Sequence, residues 1–146
     1  MIPLRVLTLI VARPNQPSVL VLEAIEESPE GKTRVIPIWI GPNEAAQISL
    51  AIENVHPARP LTHDLFLDTI TNLDARVDHV VIHEVRKQTF YAHLFLTQGG
   101  RLIELDARPS DALALAIRQG APFYADEEVL EKASFPHLFK PHLNPE

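Results

Sequence analysis

Two short stretches of the sequence place an Arg-Pro pair, a hydroxyl residue and an aspartate directly before an apolar run. They are ARPLTHDL at 58–65 and ARPSDALALAIRQG at 107–120. The proline and the acid are typical of a helix start, where unpaired N–H groups and about half a positive charge attract anions. An arginine just upstream adds a forked donor that suits phosphate. We therefore expect Arg59 and Arg108 to bind phosphate.

Acids in and near the same stretches indicate a divalent cation. A carboxylate beside a phosphate repels it unless a cation lies between the two groups. Acids that hold Mg²⁺ or Mn²⁺ at such a place would position an ion that activates water and neutralises developing charge in a phosphodiester reaction. The predicted ligands are Asp64, Asp106 and Asp111, with Glu44 as a further candidate. His63 is expected to act as a base or as a ligand.

A structural role explains the same residues equally simply. Carboxylates in the first turn of a helix are favoured without any function, and Asp106 with Arg108 could form an ordinary ion pair. The formal net charge of −6 and the absence of a basic stripe work against diffuse attraction to nucleic acid. Two hypotheses therefore stay open: a metal-assisted phosphodiesterase, and a non-catalytic oligomeric module that binds a small anion or a partner protein.

Other histidines and aromatic residues give weaker indications. His79 and His83 are four residues apart in a predicted strand, which puts them on one face but about 13 Å apart, too far for one metal. His93, on the next strand, is expected on the opposite face if the connecting turn has two residues. Trp39 and the Phe-Tyr pair at 123–124 could stack on a nucleobase, although aromatic residues within apolar strands more often belong to the core.

The elements that must position these residues follow from periodicity and turn residues. The first half of the chain reads as three strands and then two helices, because Val, Leu and Ile dominate the strands and apolar residues recur at helical spacing in the helices. Thr62 is the expected cap of the second helix. The apolar stripes expected to be buried are Ala45, Ile48 and Ile52 in the first helix and Phe66, Ile70 and Leu73 in the second. The ranges are 4–12, 18–25 and 33–40 for the strands, and 41–55 and 63–74 for the helices.

The second half reads as a hairpin, a third strand and a buried helix. Strands at 75–86 and 89–98 meet at Lys87-Gln88, and a two-residue turn would place Val85 opposite Phe90 and Val81 opposite Leu94. RLIELDA (101–107) is the third strand. The helix that follows has Ser110 as its expected cap and Gly120 just past its end, and it is apolar all round at 112–117, so it should be deeply buried. A short strand and a final helical turn or two are expected near 121–133. This grouping of strands and helices predicts an α+β fold with mostly antiparallel sheet and three to four helices.

Composition limits the class of protein. A chain of 146 residues fits one domain, which we expect at 1–133, followed by a proline-rich tail at 134–146. There is no cysteine, so disulfides and thiolate zinc sites are absent. The apolar runs are too short to cross a bilayer, and the amino end reads as a strand rather than a secretory leader, so no membrane partner and a cytoplasmic location are expected. Strand edges that a second subunit could cover favour a homo-oligomer.

Several blocks of the sequence together resemble one family. IPIWIGPNEAAQI, RPLTHDL, TFYAHLFL and DARPSDALALAIR are similar, in this order, to the signature blocks of the bifunctional nuclease (BFN) domain family of bacteria and plants. The resemblance covers roughly residues 1–130 and implies an α+β domain that hydrolyses both DNA and RNA. The hairpin turn, often Asp-Gly-like in such proteins, is Lys87-Gln88 here. The family's characteristic polar positions correspond in this chain to Glu44, Arg59, Thr62, His63, Asp64, Asp106, Arg108, Ser110 and Asp111.

These positions divide into three expected roles. Proton transfer and catalysis are assigned to the histidine and the aspartates, substrate binding to the arginines and the two hydroxyl residues, and metal binding to the acids. The expected catalytic residues are His63, Asp64, Asp106 and Asp111, the substrate-binding residues Arg59, Thr62, Arg108 and Ser110, and the metal ligands Glu44, Asp64, Asp106 and Asp111.

Overall fold

The computed structural model describes residues 1–11, 13 and 15–136. These residues form eight strands and four helices. The strands are β1 (Ile2–Ile10), β2 (Ser18–Ala24), β3 (Arg34–Ile40), β4 (Ala75–Arg86), β5 (Thr89–Gln98), β6 (Arg101–Ala107), β7 (Phe123–Ala125) and β8 (Phe135–Pro136), and the helices are α1 (Pro42–Ile52), α2 (Thr62–Asn72), α3 (Pro109–Gln119) and α4 (Glu127–Ala133).

All eight strands belong to one sheet. Its order is β6-β5-β4-β7-β1-β2-β3-β8, and only the pairing of β4 with β7 is parallel. The short β7, which follows α3, thus joins the β4–β5–β6 meander to the β1–β2–β3 meander. The predicted α+β class, with a mostly antiparallel sheet and four helices, is confirmed.

Helix α3 is the centre of the core. Residues 112–116 are buried all round, as their composition predicts, and the helix packs against α1, α2, β4 and β5. Its end is the predicted one, because Gly120 has φ 78°, a left-handed conformation that favours glycine. The core continues through alternate residues of the central strands, including Leu20, Leu22 and Ile82. The first turn of α3 lies at the edge of this core, where its side chains can reach solvent.

The two preceding helices bury less than their apolar stripes predict. In α1, Ala45 and Ile48 are buried, but Ile52 is exposed and Ala51 takes its place. In α2 only Ile70 is buried, whereas Phe66 and Leu73 are exposed. The prediction that the apolar stripe of α2 is buried was wrong for two of its residues, because Phe66 lines an open groove and Leu73 lies beyond the last turn of the helix.

Both predicted helix caps are wrong by one or two positions. Leu61 occupies the cap position of α2, with Thr62 already helical, and Arg108 occupies that of α3, with Pro109 and Ser110 in the first turn. Neither hydroxyl makes a cap hydrogen bond. The proline explains the shift in α3, because its fixed φ and missing N–H suit the first helical position.

The β4–β5 hairpin has the predicted turn but not the predicted register. Lys87 and Gln88 have φ 49° and 67°, as a two-residue type I′ turn requires, and Val85 pairs with Phe90. A β-bulge between Ile82 and Glu84 then shifts β4 by one residue, so Val81 pairs with His93 rather than Leu94. A one-residue shift turns every later side chain to the other face. His93 therefore shares a face with His83, and their rings stack 3.8 Å apart, which contradicts the predicted opposite faces.

The ends of the sheet hold two further differences from expectation. Trp39 on β3 is 65% exposed rather than part of the core. Phe135 and Pro136 fall within the predicted tail, yet they pair with Arg34 and Val35 as β8; residues 137–146 of that tail lie outside the described residues. Within the described part of the chain, no helix has the length and apolar character needed to cross a membrane.

Candidate functional site

The starts of α2 and α3 meet through a single carboxylate. The Oδ1 atom of Asp111 lies 3.1 Å from Nε2 of His63, and its Oδ2 atom accepts a hydrogen bond of 2.8 Å from Nε of Arg108. His63 belongs to the first Arg-Pro stretch and Arg108 and Asp111 to the second. The structure therefore brings residues from both Arg-Pro stretches together. We call these three residues the bridged triad.

The start of α1 lies beside the same group. Glu44, in the first turn of α1, places Oε2 3.6 Å from Nη2 of Arg108. Gly41 precedes that turn, and a Cβ atom there would clash with the Glu44 carboxylate, so the glycine leaves room for this side chain. Residues from the starts of α1, α2 and α3 thus meet through Arg108 and Asp111, and the free N–H groups of a helix start carry partial positive charge that favours an anion.

The contacts of Asp111 keep its side chain ionised at neutral pH. Burial alone would raise the pKa of Asp111, but hydrogen bonds and positive charge from Arg108 and His63 outweigh it, so the pKa lies below its ordinary value. The hydrogen bond and charge of Asp111, with a smaller effect of Glu44, raise the pKa of Arg108 above its ordinary value. Arg108 is consequently a permanent cation, held in position by two acids.

The bridge also defines which nitrogen of His63 is protonated. An ionised carboxylate only accepts hydrogen bonds, so Nε2 of His63 carries the proton that it donates to Asp111. In the neutral ring, Nδ1 then has a free lone pair. This Nδ1 atom is buried and has no hydrogen-bond partner among the described residues. His63 thus has the oriented ring and the free acceptor of a general base.

A groove of about 490 Å³ opens between α2, α3 and β6 beside the bridged triad. All three residues of the triad line it. Its remaining wall is largely apolar, and Phe66, 44% exposed, offers the edge or face of an aromatic ring. The groove therefore combines a cation, a base and an apolar surface, which is what binding a phosphate beside a sugar or nucleobase requires. The apolar lining residues are Phe66, Leu94, Leu105, Ala107, Ala112 and Leu115.

Asp64 lies apart from the triad and has a structural set of contacts. Its Oδ2 accepts a hydrogen bond of 2.9 Å from the Leu61 N–H, and its Oδ1 lies 3.2 Å from Nε of Arg118. Arg118 also donates to Gln47 on α1 and to the Ala114 carbonyl on α3. This arginine, with only 10% of its side chain exposed, joins three helices.

Sequence reasoning missed Arg118. The indication available was its place at the end of a helix that is otherwise apolar, because a charge in such a position must find a partner.

The other predicted site residues lie outside the bridged triad. Asp106 pairs with His93, which places it on the sheet face opposite Leu105 and Ala107, although it borders the groove. Arg59 is exposed and makes no hydrogen bond or ion pair with a described residue. Thr62 is exposed at the groove. Ser110 is buried and lines a second recess, of about 250 Å³, which it shares with Glu44 and Arg108.

Comparison with known proteins identifies the family. A sequence model of the bifunctional nuclease domain matches residues 24–137, which is most of the chain. The chain belongs to the bifunctional nuclease domain family. The match begins at the end of β2, so it includes all four helices and every residue of the predicted site. The resemblance stated from the sequence blocks is confirmed.

Relatives in bacteria and plants carry the same domain. The uncharacterized protein Rv1829 of Mycobacterium tuberculosis is 44% identical over 119 residues, 82% of this chain and 67% of that protein. Bifunctional nuclease 2 of Oryza sativa subsp. japonica is 32% identical over 96 residues, 64% of this chain and 30% of that protein. Bifunctional nuclease 1 of Arabidopsis thaliana is 26% identical over 101 residues, 67% of this chain and 31% of that protein. The alignments thus span about a third of the plant proteins.

The predicted metal ligands do not form one ligand set in this member of the family. Within the described residues, no group of three or more His, Asp or Glu side chains could hold a metal ion. Asp111 is occupied by His63 and Arg108, and Asp64 by Arg118 and the α2 backbone. Asp106 lies on the other face of the sheet. The four acids Glu44, Asp64, Asp106 and Asp111 therefore do not fit a single bound ion.

Proposed function

We propose that this chain hydrolyses phosphodiester bonds of DNA and RNA at the bridged triad. The observation that carries the proposal is the Asp111 carboxylate, which holds a base and a phosphate-binding cation on one wall of an open groove. Family membership supports it, and the plant relatives are named bifunctional nucleases. The length shared with those relatives is limited to the domain, so the proposal concerns the domain's own residues.

Arg108 is suited to bind the scissile phosphate. Its side chain is 63% exposed although Nε contacts Asp111 and Nη2 lies beside Glu44, so Nη1 can donate hydrogen bonds to phosphate oxygens. The free N–H groups of the first turn of α3 lie directly behind it. Because Asp111 and Glu44 outweigh the single charge of Arg108, and the overall charge is −6, the expected attraction rests on directed N–H groups rather than on net positive charge.

His63 is suited to activate the nucleophile. DNA lacks a 2′-hydroxyl, so a mechanism shared by both nucleic acids needs another attacking group, and the proposed one is water. In the proposed step a water oxygen bonds to phosphorus, its proton passes to Nδ1 of His63, and the P–O ester bond breaks. The departing oxygen takes up a proton from solvent water and leaves as an alcohol, and the His63 imidazolium returns its proton to solvent. Because Nδ1 is buried in the structure, the step requires the start of α2 to move so that water reaches Nδ1 while Nε2 stays hydrogen-bonded to Asp111.

The divalent ion stays a prediction from the sequence, and the reaction is tested with and without it. Purified protein would be incubated with short single-stranded DNA and RNA in Mg²⁺, in Mn²⁺ and in a chelator. Comparison of the cleavage rates in these solutions shows whether the reaction depends on a divalent ion. The four acids, as they lie in the structure, do not bind such an ion together.

A matched pair of arginine variants tests the phosphate-binding role. Arg108→Gln should lower the cleavage rate at least tenfold, because a charge-assisted contact of roughly 1.5–3 kcal/mol is lost. Arg86→Gln is the control, since Arg86 is 64% exposed and also binds a carboxylate at 2.8 Å through Nε. Equal rates for the two variants, or no cleavage by the unmodified chain in any metal arm, would refute the proposal. A large loss of melting temperature in Arg108→Gln without cleavage would favour the non-catalytic alternative.

A further inference from the structure

An exposed tryptophan lies beside the proposed site and is not used by it. Trp39 is 65% exposed, and it is the only tryptophan of the chain. A large aromatic ring in solvent loses the burial that would stabilise it, so its exposure needs a reason. Trp39 lines two adjacent recesses, and the residues that line them indicate what the ring could bind.

The first recess connects Trp39 with the proposed site. It is the 250 Å³ recess already described, and Trp39 lines it together with Arg108 and Ser110. Arg108 also lines the groove that contains His63. Arg108, which is proposed to bind phosphate, therefore lines both the recess of Trp39 and the groove of His63.

The second recess, which we call the aromatic cleft, is both aromatic and basic. Its volume is about 400 Å³, and Trp39, Phe90 and Phe135 line it together with Lys87 and Lys132. Phe135 is 59% exposed. None of the described residues that line the cleft is an acid; Lys132 binds Glu128 at the surface, and Lys87 has no ion pair in the described part of the chain. Aromatic faces beside cations are the features with which proteins bind single-stranded nucleic acid.

We propose that the aromatic cleft binds a nucleobase of the single-stranded substrate, with Trp39 as the stacking ring. Lys87 and Lys132 bind the adjoining phosphates, and the strand continues past Arg108 to the bridged triad. A duplex does not fit this arrangement, because its bases are stacked on each other and their faces are unavailable. This inference rests on the proposed function for its substrate class, yet binding at the cleft can be measured without cleavage.

The single tryptophan gives a direct readout of stacking. The titration uses the full chain with His63→Gln, so that binding is measured while the proposed base is removed. A short single-stranded oligonucleotide should quench the tryptophan emission in a saturable way. An abasic strand of equal length carries the same phosphates without bases, so it should quench far less. Equal quenching by both strands, or none by either, would overturn the proposal.

Affinity measured by anisotropy of a labelled oligonucleotide tests the contribution of the ring. Trp39→Ala should weaken binding by roughly 5- to 150-fold, the range expected for loss of one base–aromatic stack. Trp39→Phe, which keeps a ring, should retain most of the affinity, and Leu73→Ala removes an equally exposed apolar side chain far from both recesses as a control. Equal losses in Trp39→Ala and Trp39→Phe with unchanged melting temperature would refute stacking.

The outcomes separate this inference from the proposed function. Cleavage without base-dependent quenching would reject the cleft and leave the nuclease proposal standing. Quenching without cleavage would establish a nucleic-acid binding site and reject the catalytic proposal. Emission that changes with protein concentration and not with oligonucleotide would mean that the cleft is an interface between copies of the chain, which also rejects the proposal.

Discussion

At the scale of single residues, Asp111 differs from the other acids of the predicted site. It contacts both a histidine and an arginine, whereas Asp64 is part of a helix junction and Asp106 lies on the far face of the sheet. The sequence predicted Asp64, Asp106 and Asp111 as metal ligands, with Glu44 as a further candidate. It could not separate them, because the same residue types at helix starts serve dipole pairing, ion pairing and catalysis alike.

The lowered pKa of Asp111 predicts a defined pH dependence of stability. A carboxyl group whose pKa is lower in the folded state stabilises the fold above its unfolded pKa of about 4, and the contribution is lost as pH falls through the folded value. The unfolding free energies of the unmodified chain and of Asp111→Asn should therefore differ at neutral pH and converge in acid. Chemical denaturation at the two pH values measures this difference. A difference that does not change with pH would contradict the contacts of the Asp111 carboxylate with His63 and Arg108.

Arg118 and Asp64 are predicted to matter for stability rather than for chemistry. Arg118→Gln leaves the Asp64 carboxylate partly buried without its cation, and breaking buried pairs costs about 3–5 kcal/mol. Because 20% of the Asp64 side chain is exposed, we expect the lower end of that range. Denaturant unfolding gives the loss, and the cleavage rate per folded molecule should stay near that of the unmodified chain. An unfolding free energy of Arg118→Gln equal to that of the unmodified chain would show that Arg118 does not stabilise the junction of the three helices.

At the scale of elements, the sequence predicts best where local chemistry and packing agree. α3 has proline at its start, glycine at its end and apolar residues on every side, so its position and burial were predictable. The register of β4 was not, because a β-bulge inserts one residue without a glycine or proline to mark it. The apolar stripe of α2 was misassigned for another reason: periodicity shows which face is apolar, but not whether a core or a groove lies opposite.

The β4–β5 turn provides a prediction at this scale. Gln88 has φ 67°, a left-handed conformation that costs a non-glycine residue roughly 1–2 kcal/mol. Gln88→Gly should remove this strain, and part of the gain is offset by the greater freedom of glycine in the unfolded chain. We expect a net stabilisation of about 0.5–1 kcal/mol in denaturant unfolding. A loss of stability would mean that the Gln88 side chain contributes contacts that outweigh the backbone strain.

At the scale of the whole molecule, the homo-oligomer stays a prediction from the sequence. β6 ends the sheet, every one of its residues is exposed or half-exposed, and Leu102 is 55% exposed. An exposed edge strand that carries apolar side chains such as Leu102 can pair with a second copy. Light scattering should give a mass above that of one chain, and Leu102→Glu should lower it with the fold intact. A single-chain mass for the unmodified protein at high concentration would show the prediction to be wrong.

The whole fold also explains why the site could be found only in part from the sequence. The two Arg-Pro stretches are about fifty positions apart in the chain, and α2 and α3 bring their first turns together across the β4–β5–β6 meander. Recurrence of one motif indicated a shared site. It did not indicate that Arg59 would lie in solvent, or that Glu44 of α1 would contact Arg108.

Two isosteric substitutions test the central claim most directly. Asp111→Asn and Asp64→Asn make the same chemical change in the first turns of α3 and α2, but only Asp111 belongs to the bridged triad. Single-turnover cleavage of a short single-stranded oligonucleotide should fall by roughly 100-fold or more in Asp111→Asn, because the base loses its orienting partner. The rate per folded molecule should stay near normal in Asp64→Asn. Equal losses in the two variants, or a loss confined to Asp64→Asn, would contradict the account.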